Sequence, residues 1–243
     1  MLSQIKKVYM NQEIYRIILE DGIFEKTFLN LTFEQVNQLL VHSMDVSTSL
    51  SDVKGVISPV CIEQNGKSIR YSLHELGVSF SDLIYEHDFA NLIEKSAEIL
   101  SAIHKVDGLM HSDFVLHNLF KNADQIYVID SNPPALLGFR KDMLYGEQRH
   151  DVFSFLHSIM DSKGMKLTLL NPFGFFKYSN VFLDRYGYRF RFRDIIMLLK
   201  YVNNVRIFRK KAGRNQLLAK LSLPIIYLFL MICLGLRINV FSK

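Results

Sequence analysis

The chain has 243 residues, a formal net charge of +5 at pH 7 and 49% hydrophobic residues, enough to build one medium domain or two small lobes and to exclude wholesale disorder. Its two cysteines, Cys61 and Cys233, stand far apart without metal-ligand spacing, which excludes a cysteine-built metal site and suits a reducing compartment. The net charge hides an asymmetry: residues 185–220 carry 11 Lys and Arg against one acid, Asp194, whereas the first 184 residues carry a net −7. An acidic body with a basic end implies a partner for the end and not for the body.

Taken in order, residues 5–10, 13–19 and 23–29 read as three short strands. The turns between them fall at Asn11-Gln12 and Glu20-Asp21-Gly22. Alternation places Phe24, Lys26 and Phe28 on one face of the third strand. No long apolar segment follows Met1, so no signal peptide is expected. Thr32 suits the N-cap of a helix over 33–44, with Val36, Leu39 and Leu40 as its apolar face. Residues 51–55 form a loop. Strands are expected over 56–62 and 68–73, joined by a turn carrying Asn65-Gly66. His74-Glu75-Leu76-Gly77 follows, its glycine giving the chain freedom to change direction. From 88 to 106 Phe89, Leu92, Ile93, Ile99, Leu100 and Ile103 form one helical stripe. His104 stands at its end and Asp107-Gly108 stops it.

Residues 111–134, HSDFVLHNLFKNADQIYVIDSNPP, carry the chemistry. Asp113 is followed five positions later by Asn118, and Asp130 ends the run Ile126-Tyr127-Val128-Ile129. Lys121-Asn122-Ala123-Asp124 is turn chemistry between two short strands. One hairpin would hold Asp113, Asn118 and Asp130 at its ends, facing one spot. Such a set suits phosphoryl transfer. Asn118 and Asp130 supply oxygens for magnesium. Asp113 can orient an acceptor hydroxyl and take its proton. An ordinary hairpin with solvated turn carboxylates is the plainer alternative.

Pro133-Pro134 ends the second strand. Residues 135–148 form a loop with Arg140, Lys141 and Arg149 near it, either solvated or set to meet an anionic acceptor. Arg149-His150-Asp151 opens a helix over 152–160. Residues 185–193 interleave cations with aromatics, and 195–205 read as helical. Residues 221–236 are a charge-free run of 16, short of the roughly 20 that a full membrane span needs. The run lacks a polar face. It is expected to sit in or on a membrane, with the basic segment on anionic head groups. A buried terminal helix is the alternative. The apolar run argues against nucleic acid as the partner.

The order long helix, glycine stop, His111-Ser112-Asp113 through Asn118, then Asp130 after a strand resembles the protein-kinase-like superfamily. The resemblance covers roughly residues 5 to 160. It implies an α+β, two-lobed fold with a small antiparallel-sheet N-lobe (1–76), a mainly helical catalytic C-lobe (77–184) and a basic, then apolar, tail (185–243). It implies ATP and Mg2+ as cofactors, Asp113 as catalytic residue, and Asn118 and Asp130 as metal ligands. Lys26, Glu75, Asn118 and Asp130 would contact the nucleotide: Lys26 its phosphates and the segment around Glu75, as the hinge, its adenine. Lys26 as an exposed edge-strand lysine is the competing reading. Glu34 is the candidate partner for Lys26, although the helix dipole also explains a first-turn acid. Asp151 matches an aspartate that bonds the catalytic-loop backbone, and a plain N-cap would place one there too. His104 and His111 read as structural residues.

Small size, a missing glycine-rich loop and a basic C-terminus are most similar to the bacterial sugar kinases of the lipopolysaccharide core, the heptose and Kdo type. The implied function is phosphorylation of a sugar hydroxyl on a lipopolysaccharide or related surface glycan. It would take place on the cytoplasmic side, with the protein peripherally associated with the inner membrane. Departures open alternatives. The turn Met10-Asn11-Gln12-Glu13 has no glycine to wrap phosphates. Ser131-Asn132 replaces Phe-Gly, and Val115 replaces the lysine usual with protein substrates. An inactive kinase-like scaffold at the membrane, or a small-molecule or protein kinase, stands as the alternative.

Overall fold

The computed structural model describes residues 5–9, 12–20, 23–72, 76–136, 147–160, 172–189 and 191–211. It is a mixed α and β structure with two small sheets and, among the described residues, five helices.

The first sheet is built from β1 (Ile5–Tyr9), β2 (Gln12–Glu20), β3 (Ile23–Phe28), β5 (Cys61–Asn65) and β6 (Ser68–Ser72). Its order is β1-β2-β3-β6-β5, with every neighbouring pair antiparallel. β3 therefore lies in the middle, with Lys26 opposite Ile17 on one side and Ile69 on the other. The inner face of β3 is the one that alternation indicated: Lys26 and Phe28 are buried and Phe24 packs beside them.

Helix α1 (Phe33–Ser49) closes that face with Val36 and Leu39 against Phe28, Ile69 and Tyr71. Its start is the capping box that Thr32 allows. Gln35 N donates to Thr32 Oγ1 at 3.2 Å, and Thr32 N donates to Gln35 Oε1 at 2.9 Å. The helix runs five residues past the expected end at Met44. Val46 and Leu50 explain the extension, because both are buried in the second, larger core.

The expected strand over 56–62 is two strands in two sheets. β4 (Val56–Ile57) pairs in parallel with β9 (Gln125–Val128), whereas β5 pairs with β6. Pro59 lies between them and cannot donate to a ladder. The second sheet has the order β4-β9-β8-β7, with β7 (Val78–Ser79) and β8 (Leu119–Asn122). Gly77 precedes β7 at φ +76°, and a Cβ there would lie 2.2 Å from the Lys121 carbonyl oxygen. Only glycine permits that approach.

Helix α2 (Phe89–His104) turns Leu92, Ile93, Ile99, Leu100 and Ile103 into the larger core, as its stripe predicts. Around it stand α3 (Glu147–Met160), α4 (Pro172–Tyr186) and α5 (Phe192–Lys211). The expected loop over 135–148 thus gives way to helix at Glu147, ahead of the expected start at 152. Helix α4 has no counterpart in the sequence reading. It is held by ring contacts: Tyr178 edge-on to Phe89 with centroids 4.9 Å apart, and Phe182 stacked on Phe155 at 4.3 Å. No helix among the described residues is long and apolar enough to cross a membrane. The apolar run 221–236 lies outside the described residues.

Candidate active site

The hairpin β8–β9 does what its sequence requires. Leu119 pairs with Val128 and Asn122 with Gln125, leaving Ala123 and Asp124 as a two-residue turn. Ahead of β8, residues Leu116–Asn118 make one tight helical turn. Ile129 N donates to the Asn118 carbonyl at 3.1 Å. Asn118 and Ile129 are thereby cross-strand neighbours, and Asp130 is the next residue along.

Asn118 is buried, and its Nδ2 is committed to Asp113. It donates to the Asp113 carbonyl oxygen at 2.9 Å and lies 3.3 Å from Asp113 Oδ2. That leaves Asn118 Oδ1 as the atom with ligand capacity. On the other side Asn132 N donates to the His111 carbonyl at 3.0 Å, and Asn132 Nδ2 donates to the Asp130 carbonyl at 2.7 Å. The segment 111–113 and the segment 130–132 are thus tied together by backbone.

Two residues of this set hold left-handed backbone without being glycine: Ser112 at φ 68° and Asp130 at φ 61°. Such conformations persist only where the surroundings enforce them. Here Asp151 does so for the first. It is fully buried, its Oδ2 accepts from His111 N at 2.6 Å and its Oδ1 from Ser112 N at 2.7 Å. Because α3 begins at Glu147, Asp151 lies inside the helix, which overturns the N-cap reading and leaves the loop-backbone reading standing. His104 joins the same carboxylate, with Nε2 3.1 Å from Asp151 Oδ2 and Nδ1 2.6 Å from the Tyr186 hydroxyl. The sequence marks His104 only as a structural residue and carries no sign of Tyr186 as its partner. No local signal pairs residues 82 positions apart. His150 Nε2 stands 3.2 Å from the Ser112 carbonyl.

His111 is fully buried, its ring edge-on to Phe114 at 5.5 Å. Burial lowers its pKa, while the carboxylates of Asp151, Asp113 and Asp130 pull the other way. A buried, packed imidazole tied through its backbone suits a structural role in the loop. His42 of α1 is buried near enough to feel its charge. Burial, and next the neighbouring His111, bring His42 down to about 4.

Lys26 reaches this hairpin from the first sheet. Its Nζ lies 3.0 Å from Asp130 Oδ1, with side-chain exposures of 9% and 27%. The exposed-edge reading of Lys26 is therefore wrong, because β3 is a central strand and its inner face is covered by α1. The suggested partner Glu34 is also wrong: it is exposed on the first turn of α1 and makes no ion pair with Lys26. The α1 side chains that line the space beside Lys26 are Leu39 and Ser43.

A cleft lies beside the Lys26–Asp130 pair, bordered also by Tyr71, Ser72, Leu76 and Val128. Glu75 lies outside the described residues, as do Arg140 and Lys141. No group of three or more His, Cys, Asp or Glu side chains arranged to hold a metal occurs among the described residues. A magnesium site of the expected kind asks less, since one or two side-chain oxygens suffice when phosphates and water complete the shell. Asn118 Oδ1 and Asp130 are hard oxygen donors of that sort.

No family model matches the chain, and no curated protein matches it.

Proposed function

We propose that this chain is an ATP-dependent phosphotransferase with a two-lobed, protein-kinase-like fold. The observation that carries this reading is the link of Asp113 to Asn118 and of Asn118 to the strand leading to Asp130, with Asp130 and Lys26 bordering one cleft. Asp113 accepts the proton of an acceptor hydroxyl as that oxygen forms its bond to the terminal phosphorus and ADP departs. Asn118 Oδ1 and Asp130 would hold magnesium, which would supply neutralisation of the phosphate charge. Lys26, 3.0 Å from Asp130 Oδ1, would supply a cation for a phosphate oxygen. Asp151 keeps residues 111 and 112 in the backbone conformation that aims Asp113.

The acceptor class comes from the resemblance: a sugar hydroxyl on a lipopolysaccharide or related surface glycan at the cytoplasmic membrane face. A basic, then apolar, C-terminal segment supports it, because holding an enzyme at the surface where its substrate is confined raises effective concentration. The test is transfer of phosphate from ATP to core-type sugar acceptors. The Asp113→Ala protein is expected to bind ATP and transfer nothing. Wild-type turnover in that variant would falsify the assignment.

One observation favours a second reading, a catalytically inactive scaffold of the same shape: Lys26 Nζ is already held 3.0 Å from Asp130 Oδ1. Thermal shift separates the two. Stabilisation by ATP with magnesium supports the enzyme, and its absence in the folded wild type supports the scaffold.

A further inference from the structure

Helix α5 has an inner and an outer face of quite different chemistry. Inward, Ile195, Leu198, Tyr201 and Val202 are buried. The Tyr201 ring meets His150 at 5.5 Å and His157 at 5.8 Å, both on α3. Outward, Arg193 and Lys200 are exposed, and Ile196 and Ile207 are 40% and 41% exposed. At 3.6 residues per turn these four fall within roughly 60° of one another.

What is missing from that face is as telling. The one acid of residues 185–220, Asp194, is turned inward at 5% exposure. Its Oδ2 accepts from Arg191 N at 2.8 Å, capping the helix, and its Oδ1 lies 3.6 Å from Arg149. The stripe and the exposed Arg189 and Arg191 just before it therefore carry cations with no exposed acid among them.

We infer that the outer face of α5 is a docking surface for an anionic lipid bilayer. Cations at the margin of the stripe meet head groups, and Ile196 and Ile207 enter the boundary between head group and acyl chain. Two half-exposed isoleucines in line with the cations favour lipid over nucleic acid, which would leave them in water. The charge-free run 221–236 follows α5 in the sequence. The inner face links this surface to the site: Tyr201 packs on His150, and His150 approaches the Ser112 carbonyl at 3.2 Å. This inference sharpens the membrane part of the function proposed above and is independent of phosphotransfer.

The experiment is flotation of the full chain, without nucleotide, on phosphatidylcholine vesicles with and without phosphatidylglycerol. The wild type is expected to float only with the anionic lipid. Arg193→Glu with Lys200→Glu, both at exposed positions, should weaken binding about tenfold or more, since each basic residue near such a surface contributes appreciably. Ile196→Asn with Ile207→Asn should weaken it to a similar degree, with circular dichroism confirming the fold. Wild-type flotation by the charge-reversed protein overturns the inference. So does loss of single-stranded RNA binding by that variant with vesicle binding intact, which would make the face a nucleic-acid surface. ATP binding measured on the same proteins tests the phosphotransferase reading separately.

Discussion

Asp151 shows how much a single side chain settles here. One buried carboxylate satisfies two backbone donors of the loop that presents Asp113. Replacing it with asparagine turns one acceptor oxygen into a donor that faces a buried N–H, a mismatch that costs about 1–3 kcal/mol. Asp151→Asn should therefore lower the urea midpoint, and lower turnover about a hundredfold through displacement of Asp113, with ATP affinity kept. Unchanged turnover would mean that the loop is aimed by something else. Asp130→Ala should act differently, weakening binding of magnesium-nucleotide as read by titration calorimetry. His42 gives a pH dependence. Its folded pKa of about 4 lies below the ordinary 6.5, so between those values the unfolded chain binds a proton that the folded chain refuses. Stability is lost as pH falls from about 6.5 toward 4, and buried His111 contributes with the same sign. Asp151 and Asp45 oppose this shift, and desolvation outweighs them. Melting temperature against pH should fall over that window, and the slope should be shallower in His42→Leu.

At the scale of elements, local chemistry and tertiary contact divide the work. The capping box of α1 is a local device, and Thr32→Ala should cost about 1 kcal/mol in urea unfolding. Gly77 is a tertiary device. An alanine there would drive its Cβ to 2.2 Å from the Lys121 carbonyl and 2.8 Å from Asn122 Cβ, at a φ that disfavours L residues. Gly77→Ala should cost about 3 kcal/mol or more, well beyond the Thr32 change. If the two variants unfold at the same urea concentration, β7 does not depend on that close approach. The same division explains what was legible. The hairpin at Ala123-Asp124 could be read from turn residues flanked by β-branched and aromatic strands. The partition of residues 56–65 between two sheets could not, because strand pairing joins Val56 to Ile126, a separation that no local pattern encodes.

At the scale of the molecule, the smaller core between the first sheet and α1 and the larger core around α2 meet at the 130 segment, where Lys26 crosses to Asp130. A charge from one sheet and a strained backbone from the other are held against each other, so a ligand bridging them should stabilise both. ATP with magnesium is expected to raise the melting temperature of the wild type, with a smaller rise in Lys26→Met. Deleting residues from 221 onward should move the protein from the membrane fraction to the supernatant.

The sequence by itself was enough to read the two short strands and the turn between Asn118 and Asp130, to start α1 at Thr32, and to group Phe24, Lys26 and Phe28 on one face of their strand. Each of these is written in periodicity and turn chemistry within a few residues. Only the tertiary structure decided that Asp130 is the carboxylate facing Lys26, that Glu34 is not, and that His104, Asp151 and Tyr186 form one buried chain behind the loop. Those contacts join residues 47 to 104 positions apart, where burial and packing choose the partner and sequence spacing carries no record of the choice.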